Sequence, residues 1–331
     1  MTPDAGSAHA STDAERATAV VVLGAGRSGT SALTRGLTAL GVDLGNKQRA
    51  AGGKNPTGFF EDRDVLAIAQ RLKKTLGIRG HNLALLGDDV WREPAVESLA
   101  ANGAQTLARR FANSELWGFK YGRTLRTLPF WQDLLDRMQV EARYVVALRN
   151  PLSVARSRAR LNPMRGHQAW SDLEWLVNVV PYFDRIAGAP VSVVDFDRLI
   201  ADPEAQLRRV ARDLSLPIGA AEASAIDDYA EAFVQADRPR SRYTRDDLAA
   251  DPGVNRWVTE GYAMLDAVAG DERALDAAFW RDWSALNAAV HDLAPVLTEL
   301  DAVNRQRLRA RWNPVSPVAS ARQAFRDWRS R

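Results

Sequence analysis

The segment VVVLGAGRSGTSALTRGL, residues 20–37, constrains the fold of this chain more than any other segment. A run of apolar, mostly β-branched residues leads through a glycine-rich turn into residues with helical spacing. This is the pattern of a buried strand, a loop and a helix. Backbone N–H groups at the start of such a helix, together with the helix dipole, favour an anionic ligand. The segment therefore predicts an anion-binding loop in an α/β fold.

Two nucleotide-binding motifs fit this loop incompletely. Gly24, Gly26 and Gly29 match the G-x-G-x-x-G of a dinucleotide-binding turn, but that fold needs a second strand that ends in an acid. Asp43 is an acid in the right region, and no apolar run precedes it. The triphosphate-binding loop needs a lysine where this chain has Thr30. Both interpretations are therefore disfavoured, and the nature of the anion has to be inferred from other residues.

Four runs rich in β-branched residues predict buried strands at 19–23, 116–120, 143–148 and 191–196. Segments with helical spacing separate them. Strands that alternate with helices form parallel sheets with right-handed crossovers, in which ligands bind at the carboxyl ends of the strands. The sequence therefore predicts an α/β three-layer fold around a parallel sheet, followed from about residue 203 by an almost entirely helical region.

Composition suggests three parts of the chain: a disordered tail at 1–17, a main domain at 18–270 and a helical extension with a basic C-terminus at 271–331. The net charge is +3, but residues 305–331 alone contain eight arginines and one aspartate. The rest of the chain is therefore slightly acidic, which argues against a nucleic-acid partner. The basic segment leaves three contacts open: an anionic membrane surface, the domain itself, or a second subunit in a homodimer.

The chain contains no cysteine, which excludes disulfides, thiolate metal sites and a cysteine nucleophile. No run of about 18 apolar residues is long enough to span a membrane. We therefore expect a cytoplasmic protein.

Two short motifs resemble the sulfotransferase family that uses 3′-phosphoadenosine 5′-phosphosulfate (PAPS). The family's R/K-S-G-T-[ST] loop after the first strand appears as Arg27-Ser28-Gly29-Thr30-Ser31. Its arginine after a central strand, with a serine eight residues later, appears as Arg149 and Ser157. The stretches NPTGFFEDRDVL and LWGFK are also similar to bacterial members, and the resemblance covers about residues 18–235.

The resemblance implies a sulfotransferase-type fold and transfer of a sulfuryl group from PAPS to a hydroxyl. The expected acceptor is a carbohydrate, a lipid-linked glycan or a secondary metabolite. The expected product is adenosine 3′,5′-bisphosphate (PAP), and no metal is expected. In chemical terms, a 5′-phosphosulfate and a separate 3′-phosphate require two anion sites at one sheet edge, which a simple triphosphate does not. The residues expected to bind the donor are Gly26, Arg27, Ser28, Gly29, Thr30, Ser31, Arg149, Ser157 and Arg242.

Each donor-binding residue has a chemical reason for its place. Arg27 supplies a cation for the leaving phosphate, and the loop supplies backbone amides and hydroxyls. Arg149 can bind a phosphate through its forked guanidinium, and Ser157 adds a hydroxyl. The segment DRPRSRYTRDD, with Arg240, Arg242 and Tyr243, is a candidate loop to close over the donor.

The acceptor hydroxyl needs a general base. We predict Glu61, which follows the turn-forming residues NPTGFF and opens a helix; a plain helix-start role is the alternative. His81 and His167 are the alternative bases. Lys120, Arg123 and His81 are the candidate acceptor-binding residues. Bacterial relatives often continue the lysine into Asp-Pro-Arg, whereas this chain has Tyr121-Gly122-Arg123, which predicts an altered acceptor pocket.

Two other functions remain open on sequence alone. A P-loop small-molecule kinase is disfavoured because the loop lysine and a clear magnesium-binding acid are missing. A nucleotide-binding or scaffold protein without turnover is supported only by the departure at Tyr121 and Gly122.

Overall fold

A computed structural model describes residues 16–49, 58–78, 82–235 and 243–312 of the chain. Its parallel sheet has the strand order β2-β1-β3-β4. The strands are β1 (Thr18–Gly24), β2 (Leu116–Lys120), β3 (Glu141–Leu148) and β4 (Val191–Asp195). Each predicted strand is confirmed, with ends that differ from the predicted ends by two residues or fewer.

Helices surround this sheet. In the described part of the chain they are α1 (Thr30–Thr38), α2 (Arg63–Thr75), α3 (Pro94–Arg110), α4 (Leu128–Arg137), α5 (Pro151–Ala159), α6 (Pro163–Gly166), α7 (Gln168–Phe183), α8 (Phe196–Ala201), α9 (Pro203–Asp213), α10 (Ala220–Gln235), α11 (Arg245–Ala250), α12 (Arg256–Ala269), α13 (Ala277–His291) and α14 (Ala294–Trp312). Short 3₁₀ helices span Asp88–Arg92, Leu125–Thr127 and Asp184–Ile186.

Alternate residues of β1 enter two separate cores, because successive side chains of a strand point to opposite faces. Val21 and Leu23 belong to a core shared with α2, α3, α4, α7, α12 and α13. Val20 and Val22 belong to a core shared with α1, α9 and α10. A sheet buried on both faces explains why the strands are continuous apolar runs. The predicted three-layer α/β fold is confirmed.

Two glycines allow the chain to turn from β1 into α1. Gly24 has φ of 136°, and a Cβ on it would lie 2.5 Å from the backbone oxygen of Ala147 in the paired strand. Gly29, the residue that precedes α1, has φ of 86°, and a Cβ there would collide with the ring of Phe196. Gly24 therefore permits the close pairing with β3, and Gly29 permits both the left-handed backbone and the contact with Phe196.

The C-terminal helices pack on the domain. Phe279 and Trp283 of α13 are fully buried in the same core as Val21. On α14, the buried carboxylate of Asp301 accepts hydrogen bonds from the backbone N–H groups of Leu83 and Ala84, at 2.7 and 2.9 Å. The division of the chain at residue 270 stays a prediction, and these contacts tie both sides of it together.

Parts of the predicted termini lie outside the described residues, namely 1–15 and the basic stretch 313–331. Of the helices in the described ranges, none is long and apolar enough to cross a membrane.

We predict that Gly29→Ala destabilises the protein by more than the roughly 1–2 kcal/mol of a left-handed backbone alone, because the Phe196 ring would also have to move. Gly26→Ala is the matched control in the same loop, since a Cβ on Gly26 meets no atom within 4 Å. Urea unfolding should place Gly26→Ala within about 0.5 kcal/mol of the parent. Equal free energies of unfolding for the two variants would contradict this account of the loop.

Candidate active site

The carboxyl ends of β1, β3 and β4 bring the two predicted anion sites together. Arg149 directly follows β3, and its guanidinium lies over the ring of Phe196, with Cζ 4.7 Å from the ring centroid. Its Nη1 is 3.5 Å from the backbone oxygen of Arg27. Arg149 therefore lies against the loop that follows β1, although 122 positions separate the two arginines in the sequence.

A second contact joins the same two elements. Nε of Arg27 donates a hydrogen bond to Oγ of Ser157 on α5, at 3.1 Å. Arg27 itself has φ of 79°, which is uncommon for a residue with a side chain. The two sequence motifs thus contact each other at the sheet edge.

The remaining loop residues differ in what they offer a ligand. Helix α1 begins at Thr30, and its N-cap is Gly29, which has no side chain that could cap the first turn. Ser28 is buried at 1% exposure, so it lies beneath the loop surface, whereas Ser31 is partly exposed. The backbone oxygen of Gly26 accepts from Nη2 of Arg158, at 3.3 Å. The N-terminus of α1 is therefore a place where backbone N–H groups and the helix dipole favour an anion.

Glu61 does not open a helix, and the sequence prediction was wrong on this point. Asp62 is the N-cap of α2, and its Oδ1 accepts from the backbone N–H of Asp64 at 2.8 Å. The Glu61 side chain turns instead toward the loop. Its Oε1 accepts from Nζ of Lys120 at 3.1 Å, and its Oε2 pairs with Arg49 at 3.0 Å. The two neighbouring acids therefore differ in their contacts: Asp62 caps α2, and Glu61 binds the side chains of Lys120 and Arg49.

Lys120 links Glu61 to the first turn of α1. It is the last residue of β2, is only 3% exposed, and its Nζ lies 3.4 Å from Oγ of Ser31. Burial lowers the pKa of Lys120, while the charge of Glu61 and its hydrogen bond raise it. Glu61 therefore partly offsets the cost of burying an ammonium group beside the first turn of α1.

A pocket of about 210 Å³, here called the arginine pocket, opens on the other side of the loop. Gly26 and Arg27 form one wall, and Gly122 and Arg123 form another. Helices α5, α6 and α7 complete it with side chains that include Arg158 and Glu174. Two residues of the segment that departs from the bacterial pattern, Gly122 and Arg123, thus border this pocket directly.

The structure describes only some of the remaining predicted residues. His81, Arg240 and Arg242 fall outside the described residues. His167 is an exposed residue at the start of α7. Tyr243 is described, and its hydroxyl accepts from Nη1 of Arg156 at 2.8 Å, one residue from Ser157.

Sequence reasoning missed Arg158, Arg165 and Glu174. Arg158 is 6% exposed, and its Nη1 donates to the backbone oxygen of Ser171 at 3.0 Å. It directly follows Ser157, so an arginine-rich helix after β3 was a usable signal. Glu174 had no such signal, because its role depends on how α7 packs. Within the residues described, no group of three side chains suited to hold a metal ion is found.

A family model described as the sulfotransferase family matches residues 19–220, more than half of the chain. The chain belongs to this family. The resemblance inferred from the loop and the Arg149 motif is thereby confirmed, as is the prediction that the chain is a sulfotransferase enzyme.

This sulfotransferase is also similar to individual proteins. It is 31% identical over 87 residues to branched-chain-amino-acid aminotransferase-like protein 2 of Arabidopsis thaliana, a match that spans 26% of this chain and 15% of that protein. Among solved structures, sulfotransferase STF9 of Mycobacterium avium has a TM-score of 0.44 and 16% identity, covering 80% of this chain and 79% of STF9. The sulfotransferase domain of the Synechococcus PCC 7002 olefin synthase has a TM-score of 0.39 and 16% identity, and the match covers 86% of this chain and 96% of that domain.

Proposed function

We propose that this sulfotransferase uses PAPS as donor and transfers its sulfuryl group to a hydroxyl of a carbohydrate, a lipid-linked glycan or a secondary metabolite. The observation that carries the proposal is the contact of Arg27 Nε with Ser157 Oγ. It places the N-terminus of α1 beside the Arg149 and Ser157 pair, so one ligand with two separated anionic groups fits the edge. When bound, PAPS supplies an activated sulfate whose leaving group is a phosphate.

The residues suit the two ends of such a donor. The N-terminus of α1, with Arg27 and Ser31, is the proposed site of the 5′-phosphosulfate. Arg149 and Ser157 are the proposed site of the 3′-phosphate. The guanidinium of Arg149 lies over the ring of Phe196, and its forked shape matches the oxygens of a phosphate. The hydroxyl of Tyr243 accepts a hydrogen bond from Arg156, the neighbour of Ser157 on α5, so Tyr243 lies close to this proposed phosphate site.

Sulfuryl transfer depends mainly on positioning and on stabilising the developing charge. The acceptor oxygen forms a bond to sulfur, the bond from sulfur to the phosphate oxygen breaks, and the acceptor proton passes to a base. Arg27 in the loop and Lys120 beside Ser31 are the cations that we propose stabilise charge on the transferred and leaving oxygens.

We propose Glu61 as the base, because it is one side chain away from the donor loop and does not cap α2. Its contact with Lys120 supports a second role, in which Glu61 only positions that lysine. The two roles differ in what the Glu61→Gln variant does to the pH profile.

We predict that PAP raises the melting temperature of the protein by a few degrees at saturation, because a ligand that binds only the native state stabilises it. ATP and NADH should raise it far less.

Arg149→Ala should weaken PAP binding by about 1.5–3 kcal/mol, the range for a hydrogen bond to a charged group, and Ser157→Ala should weaken it less. Calorimetric titration with PAP measures the affinity of both variants.

Arg137→Ala is the control for this comparison, since Arg137 forms an exposed pair with Asp133 on α4. It should bind PAP like the parent. A larger shift with NADH than with PAP would contradict the two-site proposal, and a larger shift with ATP would favour a kinase.

We predict that Glu61→Gln lowers kcat by at least about 10²-fold, the lower end of the contribution of a general base. PAP affinity should stay close to that of the parent, and the acidic limb of the kcat profile against pH should disappear. Glu141→Gln is the matched control, because Glu141 also pairs with an arginine, Arg143, away from the site. If Glu61→Gln keeps the acidic limb, the carboxylate is a positioning residue for Lys120; if it turns over normally, His81 or His167 becomes the candidate base.

A further inference from the structure

The arginine pocket adjoins the proposed donor site without coinciding with it. Its described lining contains Gly26 and Arg27 of the loop, but neither the first turn of α1 nor Arg149. A molecule in the pocket would therefore lie next to Arg27 while PAPS occupied the two anion sites. This is the position that an acceptor requires.

The pocket is strongly cationic. The charged side chains along its described lining are Arg27, Arg123, Arg158, Arg165 and Glu174. The carboxylate is already engaged by its neighbours. Nε and Nη2 of Arg165 donate to its two oxygens at 2.7 and 2.6 Å, and Arg158 lies 3.4 Å from Oε2. One carboxylate thus faces four guanidinium groups.

Burial makes this arrangement costly. It lowers the pKa of Arg158 to about 10, although the charges of Glu174 and Asp172 raise it, and the charges of Arg165 and Arg123 lower it further. Burial also lowers the pKa of Arg123, and the nearby Arg126 adds to the effect. Guanidinium groups keep their proton at neutral pH, so like charges are held together where water screens them poorly. An anion among them would offset that repulsion.

Space for the anion exists beside Gly122. This glycine is exposed, and a Cβ on it would meet no atom within 4 Å. The guanidinium fork matches the oxygens of phosphate and carboxylate groups.

We propose, resting on the sulfotransferase function above, that the arginine pocket binds an anionic group of the acceptor, a phosphate or a carboxylate. The acceptor is then an acidic hydroxyl compound, such as a phosphorylated or carboxylated sugar, and its anion is held by Arg123, Arg158 and Arg165. The acceptor hydroxyl is thereby directed toward Arg27 and the transferred group.

The test titrates the full chain, saturated with PAP, with methyl phosphate in one arm and acetate in the other. Neither probe has a hydroxyl to be sulfated, so calorimetry reports binding alone. Gly122→Asp introduces a carboxylate beside the arginines without removing any of them, and Gly122→Asn is its neutral control. Arg165→Gln removes one guanidinium, and Arg185→Gln is the control for it, because Arg185 pairs with Asp88 outside the pocket.

We expect the parent to bind methyl phosphate more tightly than acetate, because it carries more charge. Gly122→Asp should weaken methyl phosphate binding at least about tenfold, Arg165→Gln should also weaken it, and both controls should stay within about twofold. Melting temperatures check that the variants fold. If Arg165→Gln does not fold, the comparison of Gly122→Asp with Gly122→Asn still tests the inference.

Three results would overturn the inference: no binding of either probe to the PAP complex, equal binding by Gly122→Asp and Gly122→Asn, or binding that Lys120→Ala abolishes and Gly122→Asp leaves unchanged. The last result would place the probe at the sulfuryl position of the donor. If PAP itself fails to bind, the proposed function fails instead, so the two failures are distinguishable.

Discussion

The parallel pairing of β1 with β3 is the constraint on which the rest of the site depends. The two strands end side by side, with Gly24 opposite Ala147, so the loop after one strand and the arginine after the other meet at the same edge. Only a residue without Cβ fits at Gly24, because a side chain there would strike the neighbouring backbone. The contacts from Arg149 and Ser157 to the loop follow from this register.

The candidate site contains more cationic side chains than carboxylates. Glu61 partly compensates buried Lys120 on one side of the loop, and Glu174 compensates Arg165 and Arg158 on the other. In the folded chain such clusters cost free energy unless counter-charges are present. A donor with two anionic ends and an acidic acceptor are the ligands that would supply them. In the proposed function, binding affinity and the position of the reacting groups would therefore have the same electrostatic origin.

Much of this arrangement could be predicted from the sequence, for identifiable reasons. The strands were predictable because a sheet covered on both faces needs uninterrupted apolar runs. The loop and the Arg149 pair were predictable because they directly follow strands, whose carboxyl ends share one edge. Glu61 was predicted to open α2, and this was wrong, since two adjacent acids look alike until the backbone shows that Asp62 is the cap. The arginine pocket could not be predicted, because it depends on how α5, α6 and α7 pack together.

A crystal structure of the protein with PAP tests the central claim most directly. The account predicts the 5′-phosphate at the N-terminus of α1, within hydrogen-bond distance of the backbone of residues 28–31. It predicts the 3′-phosphate on the guanidinium of Arg149 and the hydroxyl of Ser157. A complex in which either phosphate lies away from its predicted site, with Arg149 or the α1 N-terminus untouched by PAP, would contradict it.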